Sequence, residues 1–447
     1  MCTRSILGAA MAASRPVPAP HQEPIDRLLA PVERFLHVQA ASGIVLLLAT
    51  VAALALANSP WAEGFLGLWK TQVGFQIGEF RMVHSLKHWI NDGLMAVFFF
   101  VVGLEVKREV VHGELRELRA AVLPFFMAVG GMVVPAGIYL SLQGGTPAAS
   151  GWGTPMATDI AFVVGCLALL GSRIPKSLRV LLLSLAVLDD LGAILVIAIG
   201  YTENLRLGAV AVALGGIGLV LLARALGVRS LLVYTLLGSM TWLAMHESGV
   251  HATLAGVALG LITPSHAYAR SGAFNRAGRR VGQLLAGAGS THLDADEVRQ
   301  LRWIARESVS PLEFLEKTLH PWVAFLVMPL FALANAGVPL RLDALVDPVA
   351  VAIAAGLFVG KPLGIVGFAL LAIALRLARL PDGITLRVLL GGGCLAGIGF
   401  TMALFLSSLS LPEAYQDAGK LGVLVGSLAS ALCGMGLLIA PRRQTAA

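Results

Sequence analysis

Charge is scarce in this chain: Asp, Glu, Lys and Arg make up only 13% of its 447 residues. A water-soluble fold of that length would lack the polar side chains to cover its surface, which excludes the soluble globular class. Cysteine is almost missing as well. Cys2, Cys166, Cys394 and Cys433 stand far apart without metal-ligand or disulfide spacing, so the last three read as packing residues within apolar spans. Nor is there a basic domain face. The excess of +7 sits in loops between apolar runs, which argues against a nucleic-acid partner and for loops held on the cytoplasmic side of a membrane. Nothing in the sequence requires enzyme chemistry or a cofactor.

What the chain has is apolar length, 57% of its residues. Windows of about 20 apolar residues predict an all-α polytopic membrane protein. Its twelve transmembrane helices fall near 42–58, 89–105, 120–142, 154–171, 178–200, 207–225, 231–246, 249–263, 321–336, 349–375, 388–410 and 420–440. The organisation follows: a cytoplasmic tail and interfacial helix at 1–41, spans one to eight at 42–263, a charged cytoplasmic connector at 264–320, spans nine to twelve at 321–441 and a short tail at 442–447. Within the first segment, the apolar stretch Ile6 to Ala13 faintly resembles a signal core, but it runs into Arg15-Pro16 and reads better as a disordered tail. After it, Ile25, Leu28, Leu29, Val32, Phe35 and Leu36 recur at helical spacing opposite Asp26, Glu33 and Arg34, as in an interfacial amphipathic helix or a lead-in to the first span. In the connector, Val298, Leu301 and Ile304 mark one helical face.

Orientation follows from Lys and Arg, which gather in cytoplasmic loops. Alternate loops carry Lys107, Arg108, Arg116 and Arg119; Arg173, Lys176 and Arg179; Arg224 and Arg229; and Arg376, Arg379 and Arg387. The loops between are poor in charge, and only the first, with Lys70, Arg81 and Lys87, dissents. Both termini are predicted to be cytoplasmic.

The informative residues are the exceptions to apolarity. Asp189-Asp190 interrupt the run from Leu178 to Ile199, Asp159 stands at the mouth of another run, and Lys361 is a lone cation in a third. An ionisable group inside a span is costly and usually functional. In TPMATD from Thr154, Pro155 disfavours helix just before it and Thr158 and Asp159 suit the cap of a new half-helix. The bland alternative is a cap at the membrane surface. GGGCLAGIGFTM from Gly391 is a second candidate for an interrupted helix, with close packing by small residues as its alternative. Two interrupted spans in separate parts of the chain suggest inverted repeats whose discontinuous helices meet at an ion site. At such a meeting Asp159 would balance half-helix N-termini and Lys361 the C-termini. Asp189 and Asp190 point about 100° apart on a helix and would supply oxygen ligands for a hard monovalent cation only when deprotonated, so proton and cation compete. A purely structural salt bridge between the pair and Lys361 is the rival reading.

These residues lie in segments that closely resemble the NhaA family of bacterial sodium/proton antiporters over nearly the whole chain. The matches include WINDGLMAVFFFVVGLEVKREVVHGEL from Trp89, ATDIAFVVGCLALLGSRIP from Ala157, LAVLDDLGAI from Leu185, SGVHATLAGV from Ser248, LHPWVAF from Leu319, GKPLGI from Gly360, GIGFTMALFL from Gly397 and KLGVLVGS from Lys420. The resemblance implies an electrogenic Na+(Li+)/H+ antiporter of the bacterial inner membrane. Its spans four and eleven are discontinuous and crossed. Asp189 and Asp190 match the ion- and proton-binding pair, and Thr158, Asp159 and Lys361 match the helix crossing. With both acids loading protons against one cation, two protons move per sodium. Asp92 matches an acid near the cytoplasmic funnel, and Glu105, Arg108, Glu109, His251, Glu316 and His320 match a cytoplasmic cluster tied to activation at alkaline pH. Without the resemblance, LEVKRE is an ordinary charged helix end. Lys317 stands where well-studied members carry histidine, and the connector is longer than theirs, so the pH profile is the property the resemblance does not carry. It also points to a homodimer, which the segment from Ser59 to Phe80 does not by itself diagnose.

Sodium, lithium, protons and the lipid bilayer are therefore the expected partners. The competing readings are a transporter of the same architecture for potassium or an organic anion, an intramembrane aspartyl protease, and a passive channel. A protease dyad needs two carboxyls sharing a proton, normally from separate helices, and a channel needs no proton-exchanging pair.

Overall fold

The computed structural model describes residues 39–78, 80–202, 205–266, 299 and 309–439. The expected tail and interfacial helix, most of the 264–320 connector and the C-terminal tail lie outside them.

The apolar runs form helices because a backbone in a lipid environment must satisfy its own hydrogen bonds. In chain order they are α1 (Gln39–Ala57), α2 (Ala62–Lys70), α3 (Met95–His112), α4 (Leu118–Gln143), α5 (Ile160–Leu170), α6 (Lys176–Gly200), α7 (Leu207–Ala225), α8 (Leu231–Glu247), α9 (Thr253–Ile262), α10 (Pro311–Trp322), α11 (Met328–Asn335), α12 (Pro348–Ala355), α13 (Lys361–Ala374), α14 (Leu386–Ala396), α15 (Phe400–Ser410) and α16 (Glu413–Ile439). Among the described residues, seven helical segments are long and apolar enough to cross a membrane, or nine if two bent pairs each count as one span. This is a multi-pass membrane protein. The other three expected spans are helical but short or charged: α3 ends in Glu105, Lys107, Arg108 and Glu109, α8 has 17 residues and α9 has 10.

One element corrects the all-α expectation. Gln72–Ile77 (β1) and Phe80–Ser85 (β2) pair antiparallel, with Val73 opposite His84 and Phe75 opposite Met82. Gly78, at φ 61°, supplies the left-handed residue that a two-residue hairpin requires. The chain then enters α3 through a π-helical turn, Trp89–Leu94; another π turn, Gly356–Gly360, precedes α13. Such turns re-aim the residues beside them, here Asp92 and Lys361.

Two close helix contacts position the charged groups. A Cβ on Gly130 of α4 would come within 2.2 Å of the Gly364 carbonyl of α13, and one on Gly364 within 2.1 Å of the Gly130 carbonyl. That approach brings α13, and Lys361 at its start, against the bundle centre. On the other side, Gly256 of α9 abuts Ala96 and Gly260 abuts Gly103 of α3, so these helices run parallel at backbone contact.

Candidate functional site

The site grows from two helix interruptions. A 3-10 segment, Pro147–Met156, ends before Ala157, and α5 starts at Ile160 with Asp159 as its cap, whose Oδ1 accepts from the Phe162 N–H at 3.1 Å. The second interruption, Gly397 to Gly399, separates α14 from α15, which bend by 47°. The three preceding glycines, Gly391 to Gly393, remain helical.

The two interruptions bond to each other. The Asp159 N–H donates to the Ile398 carbonyl at 2.7 Å, and Asp159 Oδ2 accepts from the Thr401 N–H at 3.0 Å and from the Thr401 hydroxyl. One carboxylate thus serves the N-termini of α5 and α15, where unpaired N–H groups leave partial positive charge. It does so at 1% exposure, which replaces the bland picture of a cap at the membrane surface. At the opposite ends of the broken helices, Lys361 Nζ donates to the Met156 carbonyl at 2.5 Å, and Thr158 Oγ1 lies 2.8 Å from the Ala396 carbonyl.

Asp189 joins this centre from α6. Its Oδ2 accepts from Lys361 Nζ at 2.5 Å and lies 2.6 Å from Thr158 Oγ1, in an ion pair with no exposed side-chain surface. Its Oδ1 is buried without a hydrogen-bond partner. Asp190, 3% exposed, forms no hydrogen bond or ion pair among the described residues. A buried unpartnered carboxylate oxygen is rare and costly. Here it leaves oxygen donors free beside a fixed cation. A cavity of about 570 Å³ opens beside α6, lined by Glu109, His112, Glu114, Arg116, Val180 and Ser184. Ser184 precedes Asp189 by five residues, about 7.5 Å along a helix.

The six residues assigned to one pH-responsive cluster do not stay together. Arg108 pairs with Glu316 across to α10 and with Glu109 at 3.4 Å, and Glu105 and His320 share those helices. Lys317 turns away and pairs with Glu313 on its own helix at 2.7 Å. His251, however, precedes α9, and because α9 runs parallel to α3 it sits level with the start of α3, where Nδ1 is 2.8 Å from the Thr253 hydroxyl and the ring meets Phe405. Asp92 is at that same end, thirteen residues or about 20 Å of helix from Glu105. Asp92 and His251 thus lie at the end of α3 away from Lys107 and Arg108, so neither joins the group around Arg108.

Several participants gave no signal in the sequence. Thr401 was visible only as part of a glycine-rich string. Asn91 and Asn335 exchange a side-chain bond of 2.7 Å beside Asp92, and His84, His88 and His246 gather around it. Burial first, and then the neighbouring His88 and His246, hold the His84 imidazole below its ordinary value.

Comparison with known proteins places the chain in a family. The profile of the family described as Na+/H+ antiporter 1 matches residues 33–438. The chain is 54% identical over 425 residues to "Na(+)/H(+) antiporter NhaA" of Rhodopirellula baltica, covering 95% of this chain and 96% of that protein. It is 50% identical over 434 residues to the protein of the same name from Rhizobium meliloti, covering 95% and 98%. It is also 51% identical over 427 residues to "Na(+)/H(+) antiporter NhaA 2" of Acidiphilium cryptum, covering 94% of each. By the profile match and by this identity along nearly its full length, the chain belongs to the NhaA family of Na+/H+ antiporters.

Proposed function

We propose that this protein is an electrogenic Na+(Li+)/H+ antiporter of the bacterial inner membrane, which expels sodium in exchange for protons by alternating access around Asp189 and Asp190. The observation that carries the reading is the contrast between the two acids: Asp189 is held by Lys361 and Thr158, while Asp190 beside it has no partner among the described residues. Deprotonated Asp190 and the bare Oδ1 of Asp189 offer a hard cation the oxygen ligands it prefers. Sodium entry displaces the Lys361 ammonium, and Thr158 turns from Asp189 to the Ala396 carbonyl. Protonation of both carboxyls releases the cation, because a neutral carboxyl does not bind sodium, and two protons carried per sodium make the exchange electrogenic. Competition for one site is enough to couple the two flows.

The rest of the reading follows the same centre. α5 and α15 act as crossed half-helices of inverted repeats in a twelve-span fold, with Asp159 offsetting their N-termini and Lys361 the C-terminal carbonyl of Met156. Both termini are cytoplasmic and the protein is a homodimer. Arg108 with Glu109 and Glu316, and with Glu105 and His320 nearby, forms the cluster through which alkaline pH activates transport, as the Glu109-lined cavity supports.

Inside-out vesicles energised to hold an acid interior test this directly with a pH-gradient dye. Sodium or lithium should collapse the gradient, more strongly toward alkaline pH, and Asp190→Asn at equal membrane abundance should abolish the response. Vesicles in which no monovalent cation moves protons would overturn the function. A full response in Asp190→Asn would overturn the site.

A further inference from the structure

We propose that His84, His88, His246 and Asp92 form a binding site for a divalent transition-metal ion of the zinc class, which ties the β-hairpin to the start of α3 and the end of α8. The four ligands come from three elements. His84 lies on β2, His88 and Asp92 are one helical turn apart at the entry to α3, and His246 is in the last turn of α8. One ring nitrogen from each histidine falls within 4.8 Å of the others. Asp92 Oδ2 is 3.5 Å from His88 Nε2 and 3.5 Å from His246 Nδ1.

Those distances decide between two explanations. As a hydrogen-bonded cluster the group is loose, since 3.5 Å exceeds the usual N–H···O range and His88 Nε2 is buried with no hydrogen-bond partner. As a coordination shell it is close to formed. Bonds of about 2.1 Å to a tetrahedral ion place neighbouring donors roughly 3.4 Å apart, which two of the separations already match. The remaining separations are wider: the three histidine nitrogens lie within 4.8 Å of one another, and His84, whose ring stacks on His88 with centroids 4.3 Å apart, has to draw in to complete the shell.

The donor set selects the ion. Three imidazoles and one carboxylate suit zinc, cobalt, nickel or copper and not the hard magnesium or calcium. The surroundings hold the ligands in place. Trp242 stacks on His246 and on Trp89, and its Nε1 donates to the Asp92 carbonyl at 3.2 Å. The histidines are only partly buried, which leaves the ion a path in from solvent.

The test uses the purified full chain, without a polyhistidine tag, titrated with Co2+. The expected result is the intense visible absorption of four-coordinate cobalt, saturating at a single ion per chain, displaced by Zn2+ and untouched by excess Mg2+. His84→Ala and His246→Gln should each weaken binding at least about 100-fold, beyond the loss typical of an outer-shell partner, while both variants keep sodium-driven proton movement as evidence of folding. The pale spectrum of six-coordinate cobalt, or a four-coordinate band that survives His84→Ala/His246→Gln, would overturn the site. The readout is binding, so it stands apart from any result on antiport.

Discussion

Two charged regions of this protein are built on opposite plans. At the helix interruptions, Asp159, Asp189 and Lys361 are each 1% exposed or less, and short bonds to backbone, hydroxyl and ammonium groups fix them. At the loop end of α3, the Arg108 side chain is 46% exposed, and Lys317 and Glu313 pair at 74% and 50% exposure. A buried charge stripped of its partner cannot turn to water, so its loss is felt in full. A long exposed pair is readily replaced by water and screened by salt. The first plan suits a centre that must distinguish a proton from a cation, and the second suits a region whose charge can change without unfolding the bundle.

The sharpest way to break that contrast is at Lys361. Lys361→Ala should lower stability by about 3–5 kcal/mol, because it leaves Asp189 charged and unpaired in the interior. Thermal unfolding of the purified protein in detergent reads this loss. Adding Asp189→Asn should recover most of it, since no lone charge then remains. Equal losses in the single and double variants would mean that Lys361 stabilises through Met156 and packing rather than through the pair.

Asp159 should come next. It serves two helix N-termini and accepts the Thr401 hydroxyl, so Asp159→Ala should cost roughly 3 kcal/mol, the sum of two caps and one charge-assisted bond. Thr401→Val keeps the volume and the backbone donor but removes the hydroxyl, and should cost about half as much. A neutral Thr401→Val would reduce Asp159 to a local cap of α5.

These two centres also mark what the sequence can and cannot disclose. The interruption at Asp159 is legible because its cause is local: Pro155 ends one segment and Thr158-Asp159 start the next. Its pairing with Thr401 is not, because it joins residues 242 positions apart through a backbone that only the packed bundle brings together. Asp189, Asp190 and Lys361 stand out because ionisable side chains are rare in apolar runs, yet no spacing rule shows that Lys361 meets Asp189 and not Asp190. The hairpin carried its own signal, with Val73, Phe75 and Ile77 alternating before Gly78. A window tuned to twenty apolar residues passes over six-residue strands. Asp92 and Glu105 show what helix length alone discloses: thirteen helical residues, about 20 Å, put them at opposite ends of the stretch formed by the π turn and α3.

The smallest effect is expected at Lys317, and it tests the other side of the comparison. Its partner Glu313 lies one turn back on α10, and both side chains are mostly in solvent. Lys317→His removes the long ammonium that reaches Glu313, but water and salt take its place on both groups. The unfolding temperature should therefore stay within measurement scatter, and what little salt sensitivity it has should shrink. The pH dependence of sodium-driven proton movement is the property free to shift, because a histidine titrates in the range where a lysine does not. A fall of several degrees in unfolding temperature would show instead that this exposed end is as rigidly paired as the buried centre, and that regulation and transport are built on one plan.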